Sequence, residues 1–129
     1  MRILITAGPT REPIDDVRFI SNRSSGQMGF ALARAAADAG HDVTLLLGPV
    51  LMPPSVEDVA RVIRFNTTAE LEALLAEHFP QCDVLIKAAA VADYRPAAQA
   101  EQKIKKGEGP ATVADRPDVD PRRFYRVCV

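Results

Sequence analysis

Two short apolar runs decide most of what this chain can fold into, because each stops at a Gly-Pro pair. Ile3-Leu4-Ile5 runs into Thr6-Ala7-Gly8-Pro9-Thr10, and Val43-Thr44-Leu45-Leu46-Leu47 runs into Gly48-Pro49. Unbroken apolar runs of this length suit strands buried on both faces, as in parallel sheets. Between them, Met28, Leu32, Ala35, Ala36 and Ala39 recur at helical spacing and predict one apolar helix face. Ser24 or Ser25 is placed to cap that helix, and Gly40 to end it. Strand, helix and strand in this order make one right-handed βαβ unit.

The pattern repeats downstream. Arg61-Val62-Ile63-Arg64-Phe65 reads as a third strand, and Asp83-Val84-Leu85-Ile86 as a fourth. Thr67 and Glu70 have capping-box spacing ahead of Leu71, Leu74, Leu75 and Phe79, which predicts a second helix. The expected fold is therefore α/β, a Rossmann-like open and mostly parallel sheet with flanking helices, incomplete on its C-terminal side. Residues 11–25 are polar and mixed and read as a long loop, a class that is usually functional. After Lys106 the pattern ends: Gly107-Glu108-Gly109-Pro110 is a turn or linker, and only Phe124-Tyr125-Arg126-Val127-Cys128-Val129 is strand-like beyond it. The expected organisation is one domain over residues 1–107 and a tail over 108–129.

Composition narrows the function classes. A formal charge of −1 argues against an electrostatic nucleic-acid binder, which carries a basic excess. No apolar run reaches the roughly 18–20 residues that span a bilayer, and the start lacks a signal-peptide pattern, so a cytoplasmic protein without membrane contact is expected. Cys82 and Cys128 are far apart and read as reduced thiols; His41 and His78 carry no assigned chemistry, and no metal ligand set is expected.

Ligands of open parallel sheets sit at the carboxyl ends of the strands. Three polar segments leave such ends, and two hold most of the unusual residues. The first, 18–29, brings Arg18, Asn22, Arg23, Ser24, Ser25 and Gly26 to a helix start, where free N–H groups and the positive dipole end favour phosphate. The bland alternative, a capped helix behind a polar loop, weighs equally on these residues alone. The second segment holds Ala88, Ala89 and Ala90, which leave room for a flat ring, then Asp93 and a lysine group at Lys103, Lys105 and Lys106. A turn acid and a solvated basic patch are the plainer readings of those charges. Neither a GxGxxG fingerprint nor a P-loop is present.

Taken together, three stretches resemble the phosphopantothenate–cysteine ligase family, the ligase domain of the bifunctional coenzyme A biosynthesis flavoprotein. They are Thr6-Ala7-Gly8-Pro9-Thr10-Arg11-Glu12-Pro13-Ile14-Asp15, then Val17-Arg18-Phe19-Ile20-Ser21-Asn22-Arg23-Ser24-Ser25-Gly26-Gln27-Met28-Gly29, and then Ala88-Ala89-Ala90-Val91-Ala92-Asp93-Tyr94-Arg95-Pro96 with Lys103-Ile104-Lys105-Lys106. The resemblance covers about residues 1–107 and leaves 108–129 unmatched. It implies CTP-dependent ligation of 4'-phosphopantothenate and L-cysteine through an acyl-cytidylate. It further implies Asn22, Arg18 and Lys103 as catalytic residues, and Gly8, Ser24, Ser25, Gly26, Ala88, Ala89, Ala90, Asp93 and Lys103 as nucleotide contacts. Mg2+ is implied with the CTP, a homodimer is implied, and FMN is not. Gln27 stands where the family leads one to expect lysine. Two other readings stay open: a nucleotide-binding fragment without catalysis, and, on fold analogy alone, an NAD(P)-binding Rossmann reductase.

Overall fold

A computed structural model describes residues 1–51, 53, 55, 56, 58 and 60–103, with the backbone of 113–115. Strands β1 (Arg2–Ala7), β4 (Asp42–Leu47), β5 (Arg61–Arg64) and β6 (Val84–Lys87) form one parallel sheet in the order β5-β4-β1-β6. Its register runs from Arg2↔Asp42 to Ala7↔Leu47 on one side of β1 and from Ile3↔Val84 to Thr6↔Lys87 on the other. The order reverses at β1, so the carboxyl end of that strand is the switch point where ligand crevices open. The expected α/β architecture is the observed one.

Strand pleating divides the core in two. Ile3, Ile5, Val43, Leu45 and Leu47 pack with Phe30 and Ala33 of helix α1 (Gln27–Asp38). Leu4 and Leu46 pack with Phe65 and with Leu71 and Leu75 of helix α2 (Thr68–His78). Both faces are covered, which is why these strands read as near-continuous apolar runs.

Helix α1 departs from the sequence expectation in two ways. Neither Ser24 nor Ser25 caps it: Gly26, at φ 76°, is the N-cap and no side chain caps the first turn. The buried face is Gly29, Phe30 and Ala33, whereas Met28 is 71% exposed. The cause is close approach. A Cβ at Gly29 would overlap the Ala7 side chain, so the helix turns its smallest residue toward β1 and an alanine-rich sequence tolerates the rotation. At the other end Gly40 N–H bonds Ala37 O and His41 N–H bonds Ala36 O, the two bonds of a Schellman motif.

Helix α2 begins as expected, with Thr67 Oγ1 accepting the Glu70 N–H at 3.2 Å. The Glu70 carboxylate reaches the Asn66 N–H at 2.6 Å, one residue before the cap. Phe79, expected on the helix, instead starts a 3-10 turn, Phe79–Gln81. The segment expected as a plain loop contains an antiparallel ribbon, β2 (Arg11–Pro13) with β3 (Phe19–Ser21). A second ribbon joins β7 (Tyr94–Pro96) to β8 (Val113–Asp115). The turn expected at 107–110, Lys105, Lys106 and the strand-like run at 124–129 lie outside the described residues.

Candidate functional site

A cleft of ≈ 600 Å³ opens above the carboxyl ends of β1 and β4. Pro9, Arg11, Phe19, Ser21, Asn22, Arg23, Ser24, Ser25 and Gln27 line it from the first segment, and Pro49, Val50 and Leu51 from the turn after β4. The volume is that of a small-molecule site. The start of α1 faces this space without a side-chain cap and without an acidic residue in its first turn. Its first N–H groups have no intrahelical acceptor, and the aligned peptide dipoles put positive potential there. Gly26 makes the arrangement possible, because its positive φ lets the chain turn into the helix directly against the Gly8 turn.

Asn22 links this cleft to the exit of β6. Its Nδ2 donates to Ala90 O at 3.2 Å and to Val91 O at 3.0 Å. The pair of carbonyls settles which way the amide points, since only the nitrogen donates. The two exits are themselves zipped together: Ala88 N–H bonds Thr6 O, Ala90 N–H bonds Gly8 O, and Thr10 N–H bonds Ala90 O. The Asn22 loop and the alanine stretch thus meet at the carboxyl end of β1.

The other expected site residues divide. Asn22, Ser24 and Ser25 line the cleft; Gly8 and Gly26 are buried beneath it. Ala88, Ala89 and Ala90 are half-buried on the β6 side and do not line it. Asp93 and Lys103 are exposed and outside it. Arg18 is also outside. Its Nε and Nη2 donate to Asp15 Oδ2, the former at 3.0 Å, while Asp15 Oδ1 accepts the Val17 and Arg18 N–H groups. The Asp15 side chain is fully buried, and its hydrogen bond holds the Arg18 guanidinium above the ordinary arginine pKa. Arg18, expected to offset charge at a reacting centre, is paired in this structure with Asp15 in the turn that leads into Asn22.

Several residues of this region carry roles that the sequence concealed. Arg11 and Phe19, on one face of the β2–β3 ribbon, line the cleft with the Arg11 Cζ 4.4 Å from the ring centroid. Glu12, on the other face, is 5% exposed and accepts the Thr68 N–H at 2.9 Å and the Thr68 hydroxyl at 2.6 Å. Thr10, wholly buried, accepts Ala92 N–H on its hydroxyl and Ser21 Oγ–H on its carbonyl. The available signal was the alternation of Arg11-Glu12-Pro13 and Phe19-Ile20-Ser21, too short to stand out in a polar stretch.

Comparison with known proteins decides the family. Residues 1–120 match the DNA/pantothenate metabolism flavoprotein C-terminal domain. The chain belongs to that family. The match extends past residue 107 to residue 120. A protein of an unknown prokaryotic organism named cysteine/cysteine sulfinic acid decarboxylase is 52% identical over 92% of this chain and 33% of its own length. The coenzyme A biosynthesis bifunctional protein CoaBC of Mycobacterium bovis is 52% identical over 87% of this chain and 27% of its own. That of Escherichia coli is 51% identical over 82% and 26%. The chain therefore spans about a quarter to a third of these relatives. The solved C-terminal domain of a CoaBC superposes with a TM-score of 0.70 at 42% identity, covering 81% of this chain and 54% of that one. A Streptococcus pneumoniae DNA/pantothenate metabolism flavoprotein gives a TM-score of 0.78 at 25% identity, covering 91% and 61%. The expected resemblance to the ligase domain of the bifunctional protein is borne out.

Proposed function

We propose that this chain is the nucleotide-binding part of a phosphopantothenate–cysteine ligase, which joins 4'-phosphopantothenate to L-cysteine with CTP as co-substrate. The observation that carries the reading is the uncapped start of α1 opening into a cleft lined by Asn22, Ser24 and Ser25. Free N–H groups and a helix dipole favour a phosphate in that position. Membership in a family whose relatives are named coenzyme A biosynthesis bifunctional proteins supports the same reading.

In the first step a carboxylate oxygen of 4'-phosphopantothenate attacks the α-phosphorus of CTP. The bond to the bridging oxygen breaks and pyrophosphate leaves, giving an acyl-cytidylate. In the second step the cysteine amine nitrogen attacks the acyl carbon, the carbon–oxygen bond breaks, CMP leaves, and the surplus amine proton passes to solvent. Asn22 holds the acyl-cytidylate. Both its amide hydrogens point at the Ala90 and Val91 carbonyls, so it either offers Oδ1 to a ligand N–H or releases one carbonyl to bond a ligand oxygen. Ser24, Ser25 and the adjoining N–H groups bind phosphate. Ala88, Ala89, Ala90 and Asp93 take the nucleoside from the β6 side, and Lys103 offsets charge on the triphosphate. Arg18 acts by ordering the Asn22 loop.

Magnesium accompanies the triphosphate. Among the described residues no three His, Cys, Asp or Glu side chains gather as a metal site. A magnesium ion on a nucleotide is held largely by substrate oxygens and water rather than by a protein cage. Its contribution when bound is to neutralise phosphate charge. A homodimer is part of the proposal. Among the described residues no helix is long and apolar enough to cross a membrane.

The test is pyrophosphate release that requires both CTP and 4'-phosphopantothenate. Asn22→Asp is expected to reduce amide formation far more than CTP binding; equal loss of both contradicts the role. A CTP-dependent rise in melting temperature without turnover identifies a nucleotide-binding unit that does not catalyse. Stronger stabilisation by NADPH than by CTP overturns the reading.

A further inference from the structure

Three guanidiniums, Arg11, Arg18 and Arg23, lie in the segment after β1, and the fold uses the first two differently. Arg18 is taken by Asp15. Arg11 has no carboxylate partner among the described residues and is stacked on Phe19. Ribbon register explains the stack. Arg11 pairs with Ser21 and Pro13 with Phe19, so Arg11 and Phe19 are diagonal neighbours on one face. Glu12 faces the other way, into its bonds with Thr68, and the Arg11 N–H is held by Asn66 O at 2.8 Å. The position of Arg11 is thereby fixed through its backbone, its neighbour and its ring platform.

A guanidinium lying on an aromatic ring spends its flat face on the ring and keeps its in-plane N–H fork for an oxyanion. Arg11 presents that fork in the cleft that also holds Ser24, Ser25 and the start of α1. Gln27, in the first turn of that helix, brings no charge. We propose that Arg11, seated on Phe19, is the residue that binds a phosphate or carboxylate group of the ligand in this cleft. The assignment rests on the anion-binding reading given under Proposed function and adds a specificity residue to it.

Calorimetric titration of the full chain with pyrophosphate, with CTP and magnesium, and with 4'-phosphopantothenate tests it. Arg11→Gln is expected to weaken at least one of these anions about tenfold, with a shallower salt dependence. Arg11→Lys, which keeps charge but not the fork, is expected to recover part of the loss, and Phe19→Leu to lose a few-fold through the missing platform. Wild-type affinity in Arg11→Gln overturns the assignment. So does an equal loss in Arg11→Gln and Arg11→Lys together with a lowered melting temperature, because Arg11 is then structural. The two readings separate cleanly. If the wild type binds CTP and Arg11→Gln binds it as well, the ligase reading stands and Arg11 falls. If the wild type binds pyrophosphate through Arg11 but not CTP, Arg11 stands and the ligase reading falls.

Discussion

Glu12 ties the floor of the site to the start of α2, and its removal has a cost that can be worked from the contacts. The carboxylate accepts two groups of Thr68, the N–H at 2.9 Å and the hydroxyl at 2.6 Å. Thr68 has one hydroxyl hydrogen, and the carboxylate takes it. The 3.1 Å contact between the Thr68 and Thr10 hydroxyls then uses the hydrogen of Thr10, whose oxygen accepts the Ala92 N–H at 2.9 Å. In Glu12→Ala the Thr68 hydroxyl has Thr10 to turn to, but the buried Thr68 N–H has nothing. An orphaned donor costs about 1–3 kcal/mol, and loss of a carboxylate from a helix N-terminus adds about 0.3–2 kcal/mol. The expected destabilisation is about 2–4 kcal/mol in urea unfolding of the full chain. Thr68→Val is expected to cost less, and the double variant Glu12→Ala/Thr68→Val less than the sum, with a coupling of about 0.5–3 kcal/mol. Destabilisation below about 0.5 kcal/mol in Glu12→Ala, or strict additivity with Thr68→Val, refutes the network.

The remaining expectations are simpler. Gly29→Ala drives a methyl into Ala7 and is expected to destabilise by about 1–3 kcal/mol by denaturant titration; a neutral result contradicts the close helix–strand approach. Asp83 accepts the Arg2 N–H at 2.7 Å and pairs with its guanidinium at 3.0 Å, which holds its pKa below the ordinary carboxylate value. A depressed folded value contributes stability above the unfolded pKa of about 3.9 and loses it as pH falls through the folded value. Asp83→Asn is therefore expected to flatten the acid limb of the stability–pH curve below about pH 4, and an unchanged limb counts against the pairing.

The sheet was legible because its central strands are covered on both faces and so carry few polar residues. Ile3–Ile5 and Val43–Leu47 announce themselves by apolarity, and the Gly-Pro pairs mark their ends. The β2–β3 ribbon was not legible, since three-residue strands owe their form to tertiary contacts such as the Arg11 N–H bond to Asn66 O. Burial misled for the same reason. Thr10, Glu12 and Asp15 look like loop residues, yet each is buried and pays its desolvation with hydrogen bonds to the segments around it. In α1 the apolar residues surround much of the helix, so periodicity alone could not choose a face. The contact with Ala7 chose it. That Asn22, Ser24 and Ser25 share one cleft was legible because a polar loop feeding a helix start is visible in sequence. The pairing of Arg18 with Asp15 was not legible, because sequence shows a charge and not which group it will meet.

Strand order gives Asn22 its importance. β4 and β6 flank β1 on opposite sides, so the cleft stands on the β4 side and the Ala88–Ala90 stretch on the β6 side. A ligand reaching both must cross the end of β1, where Pro9 bridges to Ala90 and Thr10 is pinned by Ser21 and Ala92. Asn22 is the described cleft-lining side chain that bonds across that line. Its position comes from the contacts that hold the β2–β3 ribbon in place. Asp15 and Arg18 set the turn before β3, Ser21 fastens the end of β3 to Thr10, and Glu12 fastens the facing strand to α2. A short polar side chain held on three sides loses little freedom when a ligand arrives, which is the form preorganisation takes in a loop.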